Sequence, residues 1–216
     1  MGTCASLRRL LSSLSGAVVY CNSTDWLAHP GTVGRAIAGA DVRIYRDDGS
    51  PADTGESGDV YVRLRDAADF TYRGDDEKRQ SIERDGLITC GDIGFLDPDG
   101  YLYLNDRRSD MVISGGVNIY PAEIEASLLG LAGVRDCAVF GIPDDDYGEA
   151  LAAYVEPDGT TVLTADAVRD HIRRDLAAYK VPRVVEFRDE LPREDSGKIF
   201  KRRLRDPHWA GRDRAI

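Results

Sequence analysis

The apolar positions change rhythm along the chain. An opening stretch, "MGTCASLRRLLSSLSG", places its leucines at helical spacing and reads as an amphipathic helix with one apolar face. "GAVVYC" then reads as a short buried strand. "DVRIY", "GDVYVRL", "GLITC" and "YLYL" follow, short β-branched and aromatic runs separated by turn clusters such as "RDDGSPADTGESGD" and "DPDG". Strands at this spacing predict a compact antiparallel or barrel-like unit over residues 30 to 105. Beyond it, helical and strand periods alternate. "YPAEIEASLLG" has Pro121 at a helix start, Glu123 and Glu125 in the first turn and Gly130 at the end. "VRDCAVFG" and "EALAAYVEP" read as strands, "TADAVRDHIRRDLAAY" as a helix capped by Thr164, and "VPRVVEF" as a closing strand. The fold class expected is therefore α+β: a β-rich unit at residues 1–108 and a small α+β domain at 109–216, with helices on a sheet face.

Composition narrows the function. A formal net charge of −10 over 216 residues argues against general affinity for nucleic acid or anionic membrane. No run of 18 apolar residues is present to make a spanning helix. The Arg- and Ser-containing opening carries no acids and faintly resembles a transit peptide, but it has neither a long apolar core nor a clear cleavage site. Cys4, Cys21, Cys90 and Cys137 form no CxxC pair, so neither a zinc site nor a disulfide framework is indicated, and a cytoplasmic setting is the default. Small molecules are the expected partners.

Gly197-Lys198 in "EDSGKIF" raises the possibility of a phosphate-binding lysine. A P-loop needs a glycine five residues earlier and a Ser or Thr afterwards, whereas Pro192 and Ile199 stand there. No GxGxxG, HExxH or GxSxG is present either. Three segments remain: "TCGD" at 89–92, "NDRRSDMVISGGVNIYPAEIE" at 105–125 and "PREDSGKIFKRRL" at 192–204. Asp92, after a glycine at a strand end, either accepts hydrogen bonds from a vicinal diol or caps a turn. Arg107 offers a forked donor for ribose or phosphate oxygens, or pairs with Asp110. Gly115-Gly116 either lets a thin ligand pass close to the backbone or makes a tight turn. Lys198 is a phosphate or catalytic group, or one more charge in a basic tail with Lys201, Arg202, Arg203 and Arg205.

Taken together and in this order, the three segments resemble the adenylate-forming superfamily: acyl-CoA synthetases, luciferase-like ligases and the adenylation domains of peptide synthetases. The resemblance runs from about residue 16 to the end, and "DRRSDMVISGGVNIYPAEIE" is its most specific stretch. It implies that Asp92, in a T-G-D-like motif spelled Thr89-Cys90-Gly91-Asp92, holds the AMP ribose, and that Arg107 also reaches it. Ser109 then falls on the hinge between a large and a small domain, where the family often has Asp or Lys. Ser114, Gly115 and Gly116 fall on the loop lining the pantetheine tunnel. Lys198 falls on the lysine that serves adenylation, placed to meet charge developing at the α-phosphate.

The implied reaction joins a carboxylic acid to ATP, giving an acyl-adenylate, and passes the acyl group to CoA. The implied architecture is the distal, barrel-like subdomain of an AMP-binding domain followed by the complete C-terminal lid domain. The family's Ser/Thr/Gly-rich loop ending in P-K-G has no match here. Its Y-G-x-T-E element should lie upstream of "PGTVGRA", and "YCNSTD" departs from it at Cys21 and Asn22. The Mg²⁺ site is therefore expected in a part this sequence does not contain, with no metal ligand assigned. Two expectations follow: a truncated ligase that is weak or inactive alone, with self-association through an apolar surface, or a non-catalytic nucleotide- or CoA-binding or protein-interaction module that uses Tyr20, Asp92 and Arg107 as a shelf.

Overall fold

The structure, a computed structural model, describes residues 18–65 and 76–212. The expected opening helix lies outside them. The chain divides into two compact units that meet in sequence between Arg108 and Ser109.

In the first unit, the elements run β1 (Val19–Tyr20), α1 (Ser23–Ala28), β2 (Gly34–Ala36), β3 (Ala40–Tyr45), β4 (Gly58–Leu64), α2 (Asp76–Ser81), β5 (Glu83–Arg84), β6 (Leu87–Leu96) and β7 (Tyr101–Arg107). They form one antiparallel sheet in the order β1-β2-β7-β6-β4-β3, with β5 added on β6, curled into a half-barrel. Its larger core cluster is aliphatic, of Val18, Val19, Ile44, Val60, Val62 and Leu102, and Tyr45, Tyr61 and Leu87 form a second one. Helix α1 is capped by Asn22, whose side chain accepts the Asp25 N–H at 2.8 Å, yet it buries none of its residues.

The second unit runs β8 (Val112–Ser114), β9 (Val117–Ile119), α3 (Pro121–Leu128), β10 (Val134–Asp144), β11 (Gly148–Pro157), α4 (Ala165–Asp175), a 3₁₀ turn at Ala178–Lys180, β12 (Val184–Phe187), α5 (Lys201–Arg205) and a last 3₁₀ turn at Asp206–Trp209. The β10-β11 hairpin is its spine, with β12 parallel to β11 and the short β8-β9 hairpin joined at the Gly148–Ser114 end. Strand β11 is buried along both faces, which is why "EALAAYV" is a continuous apolar run without strand alternation. The pleat nonetheless sorts it. Leu151, Ala153 and Val155 join Ile124 and Leu128 of α3 and Val168 and Ile172 of α4 in one cluster. Ala152 and Tyr154 face the other way, with Phe140, Leu191, Ile199 and Leu204. The sheet is thus covered by two helices on one face and by the C-terminal segment on the other.

Most expected elements are present, Pro121 stands at the first position of α3, and the Thr164 side chain accepts the Ala167 N–H at 3.1 Å. One differs. The helix expected to run through Tyr179 stops at Asp175, because Leu176 turns extended (φ −126°) and packs into the core before Pro182 leads into β12. Among the described residues, no helix is long and apolar enough to cross a membrane.

Candidate functional site

In the first unit the β6-β7 register sets Asp92 directly opposite Arg107. The Arg107 Nε stands 3.6 Å from Asp92 Oδ1; the carboxylate is 17% exposed and the guanidinium is mostly in solvent. Sequence reasoning offered Asp110 as the partner of Arg107. The structure pairs Arg107 with Asp92, and Asp110 lies 3.9 Å from Arg205 instead, because the antiparallel register carries Arg107 to β6. Burial pushes the Asp92 carboxyl above the usual range, and the Arg107 guanidinium pulls it part of the way back. Gly91 makes the approach possible: at φ +77° it donates its N–H to Thr89 Oγ1 (3.0 Å), while its carbonyl accepts the Arg108 N–H (2.7 Å). Arg108 grips Asp59 through two nitrogens, at 2.7 and 2.9 Å, and also meets Asp47. Tyr20 is largely exposed at the end of β1.

The second unit holds the remaining candidates. Ser114 pairs with Val117, so Gly115 and Gly116, at φ +57° and +79°, form the two-residue turn of the β8-β9 hairpin. The tight turn proposed as their plain structural role is real. The Gly115 N–H donates to the Tyr147 carbonyl (2.9 Å), and the buried Glu149 carboxylate accepts the Ile113 N–H (3.3 Å). Ser114 and Gly115 also line a cleft of about 640 Å³ with Tyr147, Tyr179, Arg169, Arg173 and Arg183. Sequence reasoning missed those five. The available signal was Arg169 and Arg173, four residues apart and so on one helix face of an acidic chain.

The three arginines are held differently. Arg169 is committed to the Pro182 and Arg183 carbonyls (3.2 and 2.9 Å). Arg183 pairs with Asp144 and lies over the Tyr147 ring, 5.0 Å from its centre. Among the described residues, Arg173 pairs only with the exposed Asp170 on its own helix, at 2.6 Å, a surface contact that an incoming anion can displace cheaply.

Lys198 is exposed on a hairpin outside that cleft, and it has no ion-pair partner among the described residues. Two of its basic neighbours are tied down: Lys201 binds Glu125 at 2.7 Å and Arg205 donates to the Ser109 carbonyl at 3.3 Å, while Arg202 and Arg203 are exposed. His29, Asp97 and Asp99 bring three possible metal-ligand atoms within 4.8 Å of one another. They fit a turn better than a cation, because Asp97 already accepts the Asp99 and Tyr101 N–H groups (3.0 and 2.8 Å), while His29 stacks on Tyr101 at 3.8 Å.

Residues 123–198 match the family described as the AMP-binding enzyme C-terminal domain. The chain is 38% identical over 189 residues to a long-chain-fatty-acid–CoA ligase of Yersinia pestis, covering 88% of this chain and 33% of that one. Against a feruloyl-CoA synthase of Amycolatopsis it is 43% identical over 165 residues, 76% of this chain and 33% of the other. It also resembles the structure of o-succinylbenzoate CoA synthetase from Bacillus subtilis in complex with its acyl-adenylate intermediate. That match has a TM-score of 0.77 and 31% identity, and covers 88% of this chain and 38% of the other. The chain spans about a third of the length of the curated relatives it matches. It belongs to the adenylate-forming superfamily, of which it carries a C-terminal portion.

Proposed function

We propose that this chain supplies the ribose shelf, hinge and lid of an acid–thiol ligase. In the first half-reaction a carboxylate oxygen attacks the α-phosphorus of ATP, and pyrophosphate leaves. In the second the CoA sulfur attacks the acyl carbon, and AMP leaves. On this reading Asp92 and Arg107 bind the ribose, Ser109 is the pivot and residues 109–216 form the lid. Lys198 meets the charge that grows on the α-phosphate, and the Ser114–Gly116 turn guides pantetheine. The observation that carries the reading is the cross-strand pairing of Asp92 with Arg107, which places a carboxylate acceptor and a guanidinium donor side by side as a diol requires. The arginine-lined cleft beside Gly115 supports a place for the anionic end of CoA, with Arg173 as the residue freest to bind it.

The sequence has neither the P-K-G loop nor an intact Y-G-x-T-E element, so we propose weak or absent turnover by the 216-residue chain alone. Calorimetry tests the shelf and the cleft separately. AMP binding should be abolished by Asp92→Ala, and CoA binding should weaken about 10-fold in Arg173→Ala, as expected for losing one charge-assisted hydrogen bond. Failure of AMP, ATP and CoA all to bind would sink this reading and leave a protein-interaction role. With a relative's N-terminal portion supplied, Lys198→Ala should cost about 10² to 10³ in adenylation, measured by pyrophosphate exchange.

A further inference from the structure

Asp136 on β10 and Glu156 on β11 are directly opposite each other in the hairpin register, so two carboxylates stand side by side on one face of the sheet. Like charges in that relation repel, and Glu156 is only 4% exposed, which sharpens the cost. Arg193 resolves it. Its Nη2 lies 2.8 Å from Asp136 Oδ2 and 3.5 Å from Glu156 Oε2. Both acids are oriented from their other sides: Asp136 Oδ1 accepts the Cys137 N–H (2.9 Å), and Glu156 accepts the Leu191 N–H (3.0 Å) and meets Arg135 (3.4 Å). The guanidinium is therefore fixed by two strands of the spine, and its free nitrogen, Nη1, donates to the Gly197 carbonyl at 3.2 Å. That carbonyl belongs to the peptide bond that begins Lys198.

The hairpin itself is slight. Arg193 and Ile199 form an isolated bridge, and inside it lie the Glu194 N–H to Lys198 carbonyl bond and the Gly197 N–H to Glu194 carbonyl bond, both 2.8 Å. With the Phe200 N–H to Pro192 carbonyl bond (2.7 Å) closing its base, the turn has three backbone hydrogen bonds, and a hairpin this short and solvent-exposed is marginal without outside support. Ile199 ties one end into the apolar cluster, while Gly197 at the tip (φ +82°), beyond its own bond to Glu194 within the turn, is tied to the sheet by Arg193.

We propose that Arg193 is the positioning residue of Lys198: an acid-pair-anchored arginine that holds the lysine's turn at a fixed height above the sheet. The inference rests on the adenylation role given to Lys198 under Proposed function, but its geometry does not. Lysine at position 193 keeps the charge between the two acids, yet its single ammonium cannot bridge them and reach Gly197 together.

Amide hydrogen exchange on the full chain, read by NMR, provides the test. In Arg193→Lys, the Glu194 and Gly197 amides should exchange about 10-fold faster or more, while the amides of Val168 in α4 and of Leu176 at its C-cap stay unchanged. Asp136→Asn, which removes one anchor and leaves the arginine, should loosen the same two amides by a smaller factor, and it decides the matter if Arg193→Lys fails to fold. Unchanged hairpin exchange in both variants, or a rise shared equally by α4, would overturn the proposal. With the complementary N-terminal portion present, Arg193→Lys should lower kcat for adenylation with KM for ATP unchanged; a rise in KM alone would also overturn it. Failure of the adenylation reading shows differently: Lys198→Ala would leave pyrophosphate exchange intact whatever the exchange rates of the turn.

Discussion

The two units solve the problem of presenting chemistry in opposite ways. In the first, the candidate groups sit on strands: Asp92 and Arg107 face each other because β6 and β7 are in register, and moving either would mean shifting a sheet. In the second, they sit on turns, Gly115-Gly116 and the Lys198 hairpin, which project from a thick core. That core has β11 buried on both faces, two helices on one side and the C-terminal segment on the other. The first unit's aliphatic cluster is smaller, and its helix α1 leaves Trp26 and Leu27 exposed. A group that binds a rigid ribose can be built into a sheet. A lysine with the role proposed for Lys198, acting in one half-reaction and withdrawing in the other, is better carried on a turn, with its stability supplied from beneath.

The largest test of that contrast is in the cores. Ile172 of α4 is fully buried among Leu128, Leu151 and Val168, and Ile172→Ala should cost about 2–5 kcal/mol in urea unfolding. Leu27, 73% exposed on α1, should change stability by less than about 0.5 kcal/mol when cut to alanine. If the Leu27 change proved as costly as the Ile172 change, α1 would be packed against something, and the picture of a lightly loaded helix would fail.

A smaller effect separates the two glycines of the β8-β9 turn. Both have positive φ, so alanine at either should cost about 1–2 kcal/mol from backbone strain. A Cβ at Gly115 would also come within 3.0 Å of the Tyr147 ring, whereas one at Gly116 would meet nothing within 4 Å. Gly115→Ala should therefore destabilise more, and it should weaken CoA binding more, by pushing Tyr147 at the cleft wall. Equal effects would mean that the turn's backbone matters and its wall does not.

The same contrast explains what could be read in advance. Strand and helix identities follow from local pattern, and even the uninterrupted apolar run of "EALAAYV" is a strand buried on two faces. Asp92 and Arg107 were each visible as candidates, but their pairing depends on the irregular register between Ile93 and Gly94, which no local signal announces. Arg173 showed only its helical spacing with Arg169, and Arg183 showed nothing local, because the two come from different elements and converge when α4 packs beside β12. Arg193 lies inside "PREDSGKIFKRRL", where nothing local marks a role for it. Its role depends on Asp136 and Glu156 meeting across a hairpin, a long-range fact.

The most delicate prediction concerns pH and returns to the strand-borne site. Asp92 is a carboxyl whose folded pKa is raised, chiefly by burial, with Arg107 opposing the rise. Its neutral form is therefore favoured on folding. The stability it contributes is complete below the ordinary carboxylate range near 4 and is lost as pH climbs through the raised value. Asp92→Asn should accordingly be neutral or slightly stabilising at pH 7, the reverse of what deleting a salt-bridge partner usually does. The ribose binding proposed for Asp92 runs the other way, because only the carboxylate can accept two hydroxyl hydrogen bonds. AMP affinity should fall as pH is lowered, beginning above the range where an ordinary aspartate would protonate. Titrating AMP binding by calorimetry across that window checks it: a flat profile in wild type would mean that the Arg107 guanidinium outweighs burial. Asp92 would then be an ordinary ion pair of the sheet, and the strand-borne site would lose the tuning that distinguishes it from the turns of the second unit.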